Sequence, residues 1–236
     1  MASSTRELRF TRARHRRVAG VLTLLGGEFL DSAACCFAVG TRIVLELGEY
    51  RESEDVDFLC ADKDGYRALR GEVSQRSLGR IARAPIHLLR EVRADRYGIR
   101  TTFEVGGQPI KFEIVFEGRV SIGMEHLGGA EVPCLDQPSC IAEKFLANAD
   151  RGADDAYWGR DIIDLAFMID AWGSKPAREG LAIARRAYGE VVVRAAGDAA
   201  RRMQADDKWR QQCVARLAVS SPRRLTAGLA ALARRP

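Results

Sequence analysis

The 236-residue sequence predicts an α+β chain: an α/β region over about the first 125 residues, followed by an all-helical region. Short apolar runs bounded by Gly- and Asp-containing turns alternate with helical spacing up to Gly118. After Pro133 and Pro138 every apolar repeat has helical spacing. Hydrophobic residues make up 47% of the chain, enough for an ordinary core. The domain boundary predicted from this shift separates residues 1–130, with a basic N-terminal arm, from residues 131–236.

Within the first region, Arg6, Arg9, Arg12, Arg14, Arg16 and Arg17 crowd into the arm, as a solvated helix face or a contact for a phosphate backbone. Val18, Val21, Leu22, Leu25 and Phe29 predict a helix over 18–30, weakened by Gly26 and Gly27. A buried strand is expected over 34–39, a turn at Gly40-Thr41 and a helix over 42–47. A polar loop, 48–54, leads to a strand at 56–60, and a further helix starts after Ala61. Strands are expected at 86–92, 98–105 and 110–116, with Gly106-Gly107 turning between the last two. Helices are expected over 141–149, 159–172, 177–195, 199–219 and 222–233, punctuated by Gly152, Gly173, Gly197 and Ser220-Ser221.

Several function classes are disfavoured. The six cysteines lack CxxC spacing and the three histidines stand far apart, so neither a zinc site nor a disulfide framework is expected. No apolar stretch approaches the roughly 20 residues of a membrane span, and no signal-peptide pattern opens the chain. A reducing, cytoplasmic setting is expected, with no membrane partner. The formal charge of +5 is compatible with a polyanionic partner without requiring one.

The chemistry concentrates at Asp55 and Asp57. Strand side chains alternate faces, so these two carboxylates share one face while Val56 and Phe58 face a core. Two acids side by side call for a cation between them, and Mg²⁺ prefers carboxylates together with phosphate oxygens. Upstream, a strand, the Gly40-Thr41 turn and a helix N-terminus put backbone N–H groups where an anion can be held. Thr41 and Ser53 can donate to it. In IKFEIVF, Ile110, Phe112, Ile114 and Phe116 share the core face, and Lys111 and Glu113 share the other. Asp55, Asp57 and Glu113 as metal-binding and catalytic acids, with Gly40, Thr41 and Ser53 toward phosphates, form the constellation of a nucleotidyl transferase using an NTP and Mg²⁺.

GTRIVLELGEYRESEDVDF resembles the first motif of the AbiEii/AbiGii toxin family of nucleotidyl transferases, with Arg51, Ser53, Asp55 and Asp57 in register. IKFEIVF is similar to the family's later strand, which carries a Lys and an acid two apart. CIAEKFLANADRGADDAYWGRDIIDLAFMI resembles its helical motif at Lys144, Ala147, Arg151, Arg160, Asp161 and Asp164. One departure stands out: Val39 occupies the position where the family has a small residue. The resemblance implies a polymerase-β-like nucleotidyltransferase core with a mixed sheet, followed by a C-terminal helical domain. It implies a toxin of a toxin–antitoxin or abortive-infection system, a cognate antitoxin partner, and nucleotide transfer to RNA, in some members to the 3′ end of tRNA. By position in the motifs, Arg51 and Lys144 become nucleotide-binding residues, Lys144 gripping phosphates. Asp161 becomes catalytic or Lys-orienting, and Asp164 a partner for Arg160 four residues before it. A small-molecule or protein acceptor, or a non-catalytic nucleotide-binding module, remains open at this level.

Overall fold

The computed structural model describes residues 10–127 and 130–233. Arg6 and Arg9 of the basic arm lie outside the described residues. The chain forms two compact units: Met1–Leu45 with Ser53–Asp136, and Glu46–Glu52 with Gln137–Pro236. The helical unit thus includes a short segment from the middle of the first region, which the sequence does not announce.

The first unit opens with α1 (Ala13–Leu22) and α2 (Gly27–Ser32), in place of the single helix expected over 18–30. They separate at Gly26, whose N–H bonds to the carbonyl of Ile81 instead of continuing the helix. Next come β1 (Cys35–Phe37), α3 (Val39–Glu46), β2 (Val56–Cys60) and α4 (Lys63–Glu72). Asp62 caps α4 by accepting from the Gly65 N–H at 2.5 Å. Then follow β3 (Arg93–Ala94), β4 (Gly98–Val105), β5 (Gln108–Phe116), β6 (Met124–Glu125) and β7 (Cys134–Leu135). They make one mixed seven-stranded sheet of order β3-β4-β5-β2-β1-β7-β6.

The expected strand at 86–92 does not form. That segment pairs with β4 at an isolated bridge between Leu88 and Phe103, where the Leu89 N–H donates to the Thr102 carbonyl and the Glu104 N–H to the His87 carbonyl. Val92 then turns its N–H to the Gln75 carbonyl instead of extending the ladder. The two-residue strands β3, β6 and β7 are too short to leave a periodic signal.

Register places the site. β2 runs parallel to β5, with Val56 opposite Phe112, Asp57 opposite Glu113 and Phe58 opposite Ile114. Val56, Phe58, Phe112 and Ile114 are fully buried, in one cluster with α1, α2 and α4 side chains. A fully buried residue of this kind stabilises by about 1.5–3 kcal/mol. A one-residue slip would turn Asp57 and Lys111 into this core. The hydrophobic face therefore fixes where the acids stand.

The second unit contains α5 (Gln137–Arg151), α6 (Arg160–Trp172), α7 (Ser174–Tyr188), α8 (Val191–Ala205), α9 (Asp207–Arg216) and α10 (Pro222–Ala233). α5 packs against α7, and α10 packs against α6 and α8. Two helices replace the single one expected over 177–195. Gly189, at φ +67°, ends α7 with its N–H on the Arg185 carbonyl. Gly197, expected as punctuation, lies inside α8. Among the described residues no helix is long and apolar enough to cross a membrane. All six cysteines are buried, and none forms a disulfide.

Candidate active site

In the sheet unit the structure brings together Asp55, Asp57, Glu113, Gly40, Thr41 and Ser53. Asp55 immediately precedes β2, and Asp57 is the second residue of that strand; both are half-buried. Thr41, in the first turn of α3, ties the arrangement together. Its hydroxyl lies 2.8 Å from the Ser53 hydroxyl and 2.6 Å from the Asp55 carbonyl, to which it donates. The Asp57 carbonyl accepts from the Ala38 N–H at 2.8 Å, so β2 also fixes the start of the Gly40-Thr41 turn.

Val39, just before this turn, has φ +31°. A β-branched residue rarely adopts the left-handed region. This explains why a small residue belongs there. The side chain that departs from the family pattern is also held in a strained backbone conformation.

Glu113 is engaged by two cations. Arg100 of β4 donates from Nε to its Oε1 at 2.6 Å, and Lys111 Nζ lies 3.0 Å from its Oε2. Partial burial works against the charge of Lys111. The Glu113 hydrogen bond and the negative charges of Glu113, Asp57 and Asp55 outweigh it and raise the lysine pKa. Lys111 therefore stands in the field of all three acids. The sequence pattern puts it beside Glu113 without assigning it a role, and it leaves Arg100 unmarked. The β4–β5 pairing is the signal that reveals Arg100, because Arg100 is the direct cross-strand neighbour of Glu113.

The donor set suits a hard divalent cation, being all carboxylate oxygen with hydroxyls beside it. Asp55 and Asp57 fit such an ion. Among the described residues no group of three His, Cys, Asp or Glu side chains converges as a ready metal site. The engagement of both Glu113 oxygens by Arg100 and Lys111 is consistent with this.

The other expected site residues lie in the helical unit. Arg51 is buried and makes a bidentate pair with Asp164, Nε to Oδ1 at 2.7 Å and Nη2 to Oδ2 at 2.8 Å. Lys144 is 3% exposed and reaches Asp161 at 2.8 Å and Asp164 at 2.7 Å. Arg151 pairs with Asp161 at 2.7 Å, and the Tyr50 hydroxyl donates to Asp164 at 2.6 Å. Asp161 is thus the ion-pair partner of both Lys144 and Arg151. Asp164, expected to pair with Arg160, is instead the fully buried centre of the network, because α6 turns it toward α5 and the 46–52 segment. Arg160 stacks over Tyr157. A direct phosphate grip would require Lys144 to leave two carboxylates and Arg51 to leave its bidentate partner.

Burial alone would raise the pKa of Asp164, but Arg51 and Lys144 hold it below the ordinary range. Burial is likewise outweighed at Asp161 by Lys144 and Arg151, which hold its carboxyl far down. Tyr50 is pushed up by burial and then by the charge of Asp164.

The fold is that of the nucleotidyltransferases. A candidate nucleotidyltransferase from H. pylori aligns with a TM-score of 0.52 at 15% identity, over 92% of this chain and 93% of that one. JHP933 from Helicobacter pylori aligns with a TM-score of 0.52 at 13% identity, over 96% and 94%. The family model described as nucleotidyl transferase AbiEii toxin, type IV TA system, matches residues 31–225. The chain belongs to this family of nucleotidyl transferase toxins. No curated protein matches it.

Two outcomes follow from this geometry. Asp164→Asn leaves Arg51 and Lys144 without their shared counter-charge and should cost about 3–5 kcal/mol in denaturant unfolding. Because both aspartates have depressed folded pKa values, their contribution is present above the unfolded value of about 3.9 and is lost as pH falls below it. The acid side of the stability profile should accordingly be shallower in the variant. Val39→Gly should raise stability by roughly 1 kcal/mol, the relieved strain exceeding glycine's extra unfolded-state freedom; an unchanged or lower melting temperature would contradict the strain.

Proposed function

We propose that this toxin-family nucleotidyltransferase moves a nucleoside monophosphate from an NTP to an acceptor hydroxyl on RNA, with Mg²⁺ held by Asp55 and Asp57. The observation that carries the reading is the pair of carboxylates at the start of β2, beside a helix N-terminus whose Thr41 is tied to Ser53 and Asp55. When bound, Mg²⁺ neutralises triphosphate charge and that developing on the leaving pyrophosphate. The Gly40-Thr41 turn offers backbone N–H groups to a phosphate, and Lys111 offers a cation within the field of the acids. Glu113 is proposed as the third carboxylate, facing the metal and the acceptor hydroxyl. Arg100 and Lys111 fix its position. In the helical unit, Asp161 orients Lys144 and Asp164 orients Arg51 as a positioning network.

The RNA acceptor is favoured by the arginines of α1. Arg12 precedes the helix as its N-cap, Arg14, Arg16 and Arg17 belong to its N-terminal turns, and Arg14 pairs at 3.4 Å with Glu54, next to Asp55. A cognate antitoxin is the partner expected for a family of type IV toxin–antitoxin systems.

Incubation with each labelled NTP, Mg²⁺ and total RNA should label an RNA band. Asp57→Asn should reduce labelling by at least a hundredfold while leaving the circular-dichroism melt unchanged. Undiminished labelling by that variant would remove Asp57 from the mechanism. Label recovered only on protein or small molecules would replace RNA as the acceptor.

A further inference from the structure

On the site-bearing face of the sheet, cross-strand partners form a row. Arg93 on β3 stands opposite Arg100 on β4, Arg100 opposite Glu113 on β5, and Glu113 opposite Asp57 on β2. Residues directly opposite share a face. With strands about 4.8 Å apart, the row runs ~14 Å from the sheet edge to the acid pair. Lys111 lies on the same face of β5, two residues from Glu113.

The row is arranged at an energetic cost. Two arginines directly opposite each other repel. Arg100 is compensated, by Glu113 at 2.6 Å and Asp95 at 3.4 Å. Arg93 is exposed, and among the described residues it has no ion-pair partner. A charged residue can protect an edge strand from pairing with other chains, but that role does not require a like charge opposite. The surrounding segment, 90–100, carries four arginines (Arg90, Arg93, Arg96, Arg100) against two acids (Glu91, Asp95). Asp95 is already occupied, accepting from the Tyr97 and Gly98 N–H groups and from Arg100. At the turn between β3 and β4, the Tyr97 ring is 58% exposed, with the Arg96 guanidinium 4.6 Å from its centroid. An uncompensated cation at the sheet edge, a second cation leading inward from it and an exposed aromatic at the adjoining turn are what a single-stranded nucleic acid uses, its phosphates on the cations and a base on the ring.

We infer that the Arg93–Arg100 row, with Tyr97 at the tip of the adjoining β3–β4 turn, is the track on which a single-stranded RNA lies as its terminal hydroxyl approaches Asp57. This rests on the RNA-acceptor reading above for its catalytic meaning, but binding along the track can be measured without catalysis. Arg93 contacts the RNA backbone and carries no sequence preference, and Tyr97 stacks on a base.

The test is fluorescence anisotropy of the full chain with fluorescein-labelled single-stranded RNAs of two unrelated sequences, over a salt series. Arg93→Gln should weaken both RNAs by about five- to tenfold near 0.1 M salt and lower the salt slope by about one. Tyr97→Ala should weaken both by about tenfold with an unchanged slope. Arg67→Glu, on the exposed side of α4 over the core face of the sheet, should leave affinity unchanged. Thermal stabilisation by Mg²⁺ and NTP should be equal in wild type and Arg93→Gln, which also shows that the variant folds. Wild-type affinity in both Arg93→Gln and Tyr97→Ala, or loss of affinity in Arg67→Glu alone, would overturn the track while leaving the transferase reading intact. Labelling confined to non-RNA acceptors, with Arg93-dependent RNA binding retained, would overturn the RNA-acceptor reading instead. A wild-type protein that does not bind single-stranded RNA would overturn both.

Discussion

The parallel pairing of β2 with β5 is the constraint on which the site depends. One side of these two strands is committed to the core by Val56, Phe58, Phe112 and Ile114, none of which has room to turn outward. The alternation of side chains then leaves Asp57 and Glu113 adjacent on the other side. Acids that would repel one another are stabilised by Arg100 and Lys111, and the site-bearing face carries charges of both signs instead of a patch of one sign. Hydrophobic burial thus sets the geometry, and electrostatics sets what the geometry can hold.

A second, separate charge system shapes the helical unit. Asp164 and Asp161 are buried, yet each is surrounded by cations, so they remain ionised at the expense of burial. Through Tyr50 and Arg51 this network fastens the 46–52 segment to the helical unit. The chain therefore leaves the sheet unit after Leu45 and re-enters it at Ser53, two residues before Asp55. A motif written continuously in the sequence, from Arg51 to Asp57, is divided in the structure between an anchoring arginine in the helical unit and two aspartates of the candidate site in the sheet unit.

The sequence shows the second part of that motif better than the first. Period-two alternation in β2 and β5 is local, so the faces of Asp55, Asp57, Lys111 and Glu113 are legible from the order of residues alone. Arg100 is not, because its role arises from antiparallel pairing with β5, a non-local fact. Asp164 is hidden for the same reason: i,i+4 spacing to Arg160 is visible along the chain, whereas its true partner Arg51 lies 113 residues away. Helix boundaries at Gly26 and Gly189 escape the sequence pattern because a glycine's use is decided there by a tertiary hydrogen bond or by its backbone angle. Val39 stands out against the family pattern, and its positive φ supplies the physical reason.

The central claim is that Asp55 and Asp57 hold a divalent cation. It is tested most directly by Mn²⁺ uptake, read from the electron paramagnetic resonance signal of the free ion in the presence of a non-hydrolysable NTP. The wild-type protein should deplete the free-ion signal beyond what the nucleotide alone removes, and Asp55→Asn/Asp57→Asn should abolish the excess without altering the fold. Equal depletion by the double variant would place the cation elsewhere and contradict the account.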